Sequence, residues 1–222
     1  ATRGGPAAIA ARQQARLAEL VEFARTCSPY YRRLYKDLPA NVGDPRLLTP
    51  VTKPQLVENF DEWVTDPEVT KQHVESFVSD ASLVGTPYLA RYLVATTSGT
   101  TGTPAVFLHD ETAMAVYNAI GYTRAMPALL SRNDLWRLMR GGARSAAVYA
   151  TGGHFFAAAV LERRLKQRPW RARIQRVFSV LSPMAEIVRD LNAFRPSLLA
   201  SYPSMLESLA EEQEAGRLQI RP

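Results

Sequence analysis

Thr97-Ser98-Gly99-Thr100-Thr101-Gly102-Thr103-Pro104 stands between two apolar runs, Arg91-Tyr92-Leu93-Val94-Ala95-Thr96 and Ala105-Val106-Phe107-Leu108-His109. The runs read as strands and the stretch between them as their connection. Every residue from Ser98 to Thr103 is Gly, Ser or Thr, which gives a pliable backbone, dense hydroxyls and no bulk. Gly99 and Gly102 permit positive φ and close approach, so successive N–H groups can converge on an anion while the hydroxyls add further bonds. A triphosphate is the natural guest of such a loop. It is not a Walker loop, because no lysine follows Gly102. The plain alternative is a Ser/Thr-rich hairpin turn, yet ordinary hairpin loops use only about two to five residues.

Working outward, Asp110 is a good N-cap for a helix to roughly residue 130, with Glu111 at the positive end of its dipole. Beyond it the pattern predicts strand 135–140, helix 153–167, strand 174–180, helix 183–194, strand 197–202 and helix 203–215. Alternating strands and helices imply an α/β fold, with a largely parallel sheet flanked by helices on both faces. Upstream, Pro6 opens an amphipathic helix over 6–26 with apolar positions Ile9, Leu17, Leu20 and Ala24. Ser28-Pro29 restarts a short helix through Tyr30 to Asp37, and a loop marked by Pro39, Gly43, Pro45 and Pro50 follows. Thr52 and Gln55 have capping-box spacing for a helix from about Lys53 to Phe60. Residues 61–88 read as connecting structure with one short strand near Phe77-Val78. The division expected is a helical segment, 1–88, packed on an α/β subdomain, 89–222.

At 222 residues and 46% hydrophobic, the chain can bury a sizeable core. The single cysteine, Cys27, allows no internal disulfide, and residues 1–12 hold no apolar run long enough for a signal peptide, so a cytoplasmic location is expected. The most apolar window, Ala146 to Leu161, is interrupted by Thr151-Gly152-Gly153-His154 and is shorter than the ~20 residues of a membrane span. The net charge of +6 is mild, but Arg163, Arg164, Lys166, Arg168, Arg171, Arg173 and Arg176 crowd one segment. Three readings stay open for that cluster: a solvated face, a contact for an anionic ligand, or a contact for further polypeptide. Nucleic acid fits worst, since Trp170 is the cluster's one aromatic.

The eight residues from Thr97 to Pro104 resemble the T-S-G-T-T-G-x-P signature of the adenylate-forming enzymes, the acyl- and aryl-coenzyme A ligases and their relatives. Ala105, where many acyl-coenzyme A synthetases carry lysine, is closer to the phenylacetate-coenzyme A ligase branch. Other segments are similar to that branch in order along the chain. Ser28-Pro29-Tyr30-Tyr31-Arg32-Arg33-Leu34 is similar to its P-[FY]-Y-R-x-x-[LM], and Leu48-Thr49-Pro50-Val51-Thr52-Lys53-Pro54-Gln55-Leu56 to its L-P-x-T-x-K-x-x-L. Thr151-Gly152-Gly153 resembles its T-G-G turn beside the acyl pocket, and Phe194 to Ser204 its F-x-P-[ST]-x-[IL]-x-x-x-P-S. Two departures stand out. Ala150 precedes the turn where the branch places an aromatic, and His154-Phe155-Phe156 follow where it places small residues. The family's adenine segment, its Tyr-Gly-x-Thr-Glu motif, its ribose-binding aspartate and its catalytic lysine do not occur by residue 222, so the chain is expected to be the N-terminal part of such an enzyme and inactive alone.

The resemblance implies that a carboxylate attacks the α-phosphate of ATP, giving an acyl adenylate and pyrophosphate, after which a thiol displaces AMP. Thr97, Ser98, Gly99, Thr100, Thr101, Gly102 and Thr103 would grip the phosphates, with Mg²⁺ held through them and Thr100 at its edge. Tyr149, Ala150, Thr151, Gly152, Gly153, His154 and Phe155 would form the acyl pocket, and no catalytic residue falls within 1–222. His154 reads either as a polar wall of that pocket or as a satisfied histidine at a helix start, and Phe155 and Phe156 either as core or as ligand contacts. ATP, Mg²⁺ and coenzyme A are the cofactors implied. The partners expected are a small-molecule carboxylic acid and the remainder of the same polypeptide, with a homodimer allowed and neither nucleic acid nor membrane expected. Two rival readings remain: transfer of the acyl group to a protein thiol, and a non-catalytic nucleotide-binding or interaction module.

Overall fold

Pro6 sits in the first turn of α1 (Gly5–Cys27), where its missing N–H costs nothing, and the helix stops at Ser28 because Pro29 drives the preceding residue extended (φ −111°, ψ 116°). Ser28 then serves the next helix, α2 (Pro29–Leu34): its buried Oγ accepts from the Tyr31 N–H at 3.4 Å and donates to the Glu62 carbonyl at 3.0 Å. The structure is a computed structural model and describes residues 4–97, 104–140 and 142–222. The phosphate-gripping role expected of Ser98, Gly99, Thr100, Thr101, Gly102 and Thr103 therefore falls outside the described residues.

The chain forms two compact units, one built from residues up to 75 together with 104–105, the other from 76–97 and 106 onward. In the first, Val21 of α1 is buried with Tyr35 and Val42, and Leu17, Tyr31, Leu34, Leu38 and Leu48 pack on them. The buried stripe of α1 is thus Leu17–Val21; Ile9 and Leu20, expected to be on it, are 48% and 62% exposed. The Thr52–Gln55 capping box forms, opening α3 (Lys53–Glu58), and α4 (Phe60–Trp63) follows. The strand expected near Phe77-Val78 is instead part of a helix, α5 (Lys71–Ser79). Thr70 starts it, accepting from the His73 N–H through Oγ1 and from the Val74 N–H through its carbonyl, and one capped turn outweighs two β-prone residues.

In the second unit β1 (Leu93–Thr96) and β2 (Val106–His109) pair antiparallel, Thr96 opposite Val106, so the two expected strands lie on either side of residues 97–105 in the sequence. Asp110 caps α6 (Glu111–Ile120), its carboxylate accepting from the Ala113 N–H at 2.7 Å. The helix predicted to run to 130 does so with a fault: residues Gly121–Ala125 are π-helical before α7 (Met126–Leu129). Pro127 has no N–H to give the carbonyl four residues back. The inserted residue lets the Met126 N–H bond Gly121 O instead.

The strand predicted at 135–140 is a helix, α8 (Arg132–Arg140), begun by a reciprocal cap in which Ser131 N and Oγ bond the Asp134 carboxylate and Asp134 N returns to Ser131 Oγ. The strand lies further on, as β3 (Ser145–Tyr149). It is the centre of a parallel sheet ordered β4–β3–β5, with β4 (Gln175–Ser179) and β5 (Leu198–Ser201) on its two sides. The crossovers are α9 (Phe156–Gln167) and α10 (Met184–Phe194), and α11 (Pro203–Glu214) follows β5. Successive strand residues face opposite ways. Ala146 and Val148 bury against Ile187, Val188, Leu191 and Phe194 of α10 and Leu209 of α11. Val177, paired with Ala147 on the other face, meets Ala158 of α9 across a small pocket, so helices cover both faces of the sheet.

Candidate functional site

Thr151-Gly152-Gly153 leaves the carboxyl end of β3, the edge of an open parallel sheet where ligands gather. Gly152 has φ +81°, a left-handed conformation that lets the chain double back towards α9. At Gly153 a Cβ would lie 3.3 Å from Cε2 of Phe155, so the absence of a side chain lets that ring lie across the turn. Phe155 itself forms a parallel bridge with Thr96, and the Thr96 N–H donates to the His154 carbonyl at 2.7 Å. The last residue of β1, next to Thr97, is therefore tied to the two residues that follow the Thr-Gly-Gly turn.

A pocket of about 170 Å³ opens beside the turn, lined by Thr151, Gly152 and Gly153 together with Ser82, Glu162 and Lys166 among others. Lys166 is held in place: its ammonium donates to the Ser82 carbonyl at 3.0 Å and to Thr86 Oγ1 at 2.8 Å. Gly85 lets α9 come this close. Its φ is +75°, and a Cβ there would lie 2.5 Å from the Arg163 nitrogen.

His154 is 2% exposed, with Nε2 3.3 Å from the Asp80 carbonyl and its ring 5.3 Å from that of Phe77. Burial pushes its imidazole below the usual histidine range, against the opposing pull of the Asp80 carbonyl. The ring is neutral at pH 7, with Nδ1 lacking a hydrogen-bond partner among the described residues. Tyr149 stands at the end of β3 edge-on to Tyr202, ring centroids 5.1 Å apart, and burial pushes its phenol upward. Ala150 is half-buried between Tyr149 and the turn.

The basic cluster divides. Arg163 pairs with Glu111 at 3.0 Å, Arg164 donates to Asn118 Oδ1 at 2.8 Å, and Lys166 is bound as above. The remainder gathers at the opposite edge of the sheet: Arg168, Arg171, Arg173 and Arg176 around the start of β4, joined by Arg144 before β3 and Arg195 before β5. Arg144 Nε donates to the Arg195 carbonyl at 3.1 Å, and Arg176 lies over the Phe194 ring at 4.9 Å. These six arginines equal the chain's net charge of +6, so the rest of the chain is balanced. At the Thr-Gly-Gly edge Glu162 and Lys166 both line the pocket, so the charges there offset one another and oriented N–H and hydroxyl groups remain as donors for an anion.

A second cleft, of about 300 Å³, lies across α9 from the first and is bounded by the π-helical turn. A larger, open cleft of about 760 Å³ between α10 and α11 holds the Glu212–Arg217 ion pair and lies away from both. Sequence reasoning missed the 300 Å³ cleft; its signal was Pro127 breaking an otherwise helical run. Among the described residues no group of three or more His, Cys, Asp or Glu side chains could hold a metal ion, and no helix is long and apolar enough to cross a membrane. No protein-family model matches the chain, and no curated protein matches its sequence.

Proposed function

We propose that the chain is the ATP-gripping, acid-binding part of an adenylate-forming ligase, which activates a carboxylic acid as its acyl adenylate for transfer to a thiol, coenzyme A. One observation carries the reading. The run Thr97 to Pro104, similar over eight residues to the signature of these enzymes, leaves a strand whose last residue is bonded to the backbone following a Thr-Gly-Gly turn. Thr97, the first residue of the segment that the resemblance assigns to the phosphates, thus follows directly on a residue tied to the segment that it assigns to the acid.

The chemistry asks for that proximity. A carboxylate and a triphosphate repel each other, so donors fixed on the β- and γ-phosphates lower the repulsion and stabilise the departing pyrophosphate. Ser98, Thr100, Thr101 and Thr103 would supply hydroxyls and Gly99 and Gly102 backbone N–H groups, with Mg²⁺ arriving on the phosphates. Thr151, Gly152 and Gly153 would receive the acid, and the neutral, buried His154 would fix the backbone behind it. In this reading the finer fold is the N-terminal subdomain of the adenylate-forming enzymes.

The test is acid-dependent pyrophosphate release by the full-length protein across a panel of aryl and fatty acids, followed by an acceptor assay with coenzyme A. Release that depends on one class of acid is expected. ATP consumption indifferent to every acid would reject the proposal.

A further inference from the structure

Helix α9 carries two stripes at i, i+4 spacing. Ala158, Glu162 and Lys166 face the Thr-Gly-Gly pocket. Phe156, Val160 and Arg164 lie two positions away, about 200° around the helix, and face the 300 Å³ cleft. The far wall of that cleft is Met114, Tyr117, Asn118, Gly121, Tyr122 and Met126, from α6 to α7. We infer that this cleft is a separate binding site for a small aromatic carboxylic acid.

Three independent features point to that chemistry. The walls are apolar and aromatic: Phe156 lies 5.3 Å from Tyr117 and 5.0 Å from His109, at 52° and 58°, and such tilted rings receive the edge of another ring. His109, which does not line the cleft but packs against both Tyr117 and Phe156, is kept by burial below the usual histidine range, so it adds no charge behind these rings at neutral pH.

The polar groups converge on one kind of ligand. Arg164 is half-buried and uses one donor, on Asn118 Oδ1, and no carboxylate pairs with it among the described residues. The Asn118 amide accepts that bond through Oδ1, and among the described residues its NH₂ has no acceptor. A guanidinium with four spare N–H groups beside an amide NH₂ is a donor set for a carboxylate. Lys166, on the other stripe, is already committed to two acceptors.

The backbone, finally, makes room. The π-helical turn Gly121–Ala125 displaces the helix where Gly121 and Tyr122 line the cleft, and a Cβ at Gly121 would meet nothing within 4 Å. A cleft of this volume lies at the lower limit of about 300 Å³ for small-molecule sites, which selects a single ring.

The inference stands apart from the adenylation reading, and its test needs neither ATP nor turnover. The 222-residue chain, labelled with ¹³C at its methionine methyl groups, is titrated with benzoate, phenylacetate and neutral benzamide. Met114 and Met126 line the cleft; Met184 and Met205 lie in or beside the α10–α11 packing and report on the fold. The aromatic acids are expected to shift Met114 and Met126 alone, with benzamide roughly 10- to 100-fold weaker because it lacks the charge-assisted bonds. Arg164→Gln should bring the acids down to the level of the amide. Val160→Trp, which fills the cleft, should abolish the shifts while Met184 and Met205 stay in place. Silence of Met114 and Met126 towards every acid overturns the inference, as does equal binding of benzoate and benzamide by the unaltered chain.

Discussion

Gly85 and Gly152 offer a matched pair for testing how α9 is held. Both have left-handed backbones, φ +75° and +81°, so alanine at either carries the same conformational penalty of about 1–2 kcal/mol. They differ in surroundings. A Cβ at Gly152 meets nothing within 4 Å, whereas at Gly85 it falls 2.5 Å from the Arg163 nitrogen and 2.8 Å from the Glu162 carbonyl carbon. Those are helix backbone atoms, which cannot swing aside like the end of a side chain. Overpacking of that kind adds about 1–3 kcal/mol. Gly85→Ala is thus expected to cost about 2–5 kcal/mol and Gly152→Ala about 1–2 kcal/mol. At about 2–4 °C of Tm per kcal/mol for a chain of this size, Gly85→Ala should melt some 2–12 °C below Gly152→Ala. Thermal unfolding followed by circular dichroism reads the difference. Equal losses in the two variants would refute the claim that α9 rests on the backbone at Gly85.

Three further outcomes are expected. Because burial holds His154 below its ordinary value of 6.5, the unfolded chain takes up the proton first; the stabilisation is complete above that value and is lost as pH falls through it towards the folded one. Urea denaturation across that window should therefore show a steeper decline for the unaltered chain than for His154→Leu, and parallel curves would show that the ring titrates alike in the folded and unfolded chain. In the full-length protein Thr100→Val or Thr101→Val should lower adenylation about 10²- to 10³-fold with little change in Tm, and unchanged kinetics in both would return the loop to a plain turn. Ala150→Phe should re-rank acids by about 1–3 kcal/mol in kcat/KM without abolishing activity, and constant ratios would place the acid elsewhere.

The parts of this fold legible in the sequence are those in which a local signal decides the matter. Asp110 capping α6, the Thr52–Gln55 box, Pro29 ending α1 and the two runs flanking the loop each act over a few residues, and each appears where expected. The parts that differ are those in which two local signals compete or the deciding contact is not local at all. Ser131 and Asp134 form a helix start three residues apart, yet Leu135, Trp136, Leu138 and Met139 suit a buried strand as well as a helix. The true strand, Ser145–Tyr149, is masked by two alanines and declares itself only through its neighbours β4 and β5. His154 could not be assigned from sequence because its partner, the Asp80 carbonyl, is 74 residues away.

The same distinction explains why the sequence points to the Thr-Gly-Gly turn but not to the rest of the pocket beside it, whose lining includes none of Tyr149, Ala150, His154 and Phe155, and not at all to the cleft across α9. Thr151-Gly152-Gly153 announces itself by composition, although the rest of that pocket's lining, Ser82, Glu162, Lys166 and Val177 among it, comes from distant segments. The cleft on the other side of α9 is assembled from Phe156, Val160 and Arg164 and from a turn of α6–α7 more than thirty residues earlier. Nothing in either segment alone distinguishes a lining residue from a surface one. The link between the two pockets is the helix itself. Gly85 seats the backbone of α9 at Glu162 and Arg163, between the stripe bearing Lys166 and the stripe bearing Arg164. A displacement at Gly85 moves both linings together, whereas Gly152→Ala leaves the seat untouched. The Met114 and Met126 methyl groups on the cleft wall should therefore shift in Gly85→Ala, with no ligand present, and stay in place in Gly152→Ala.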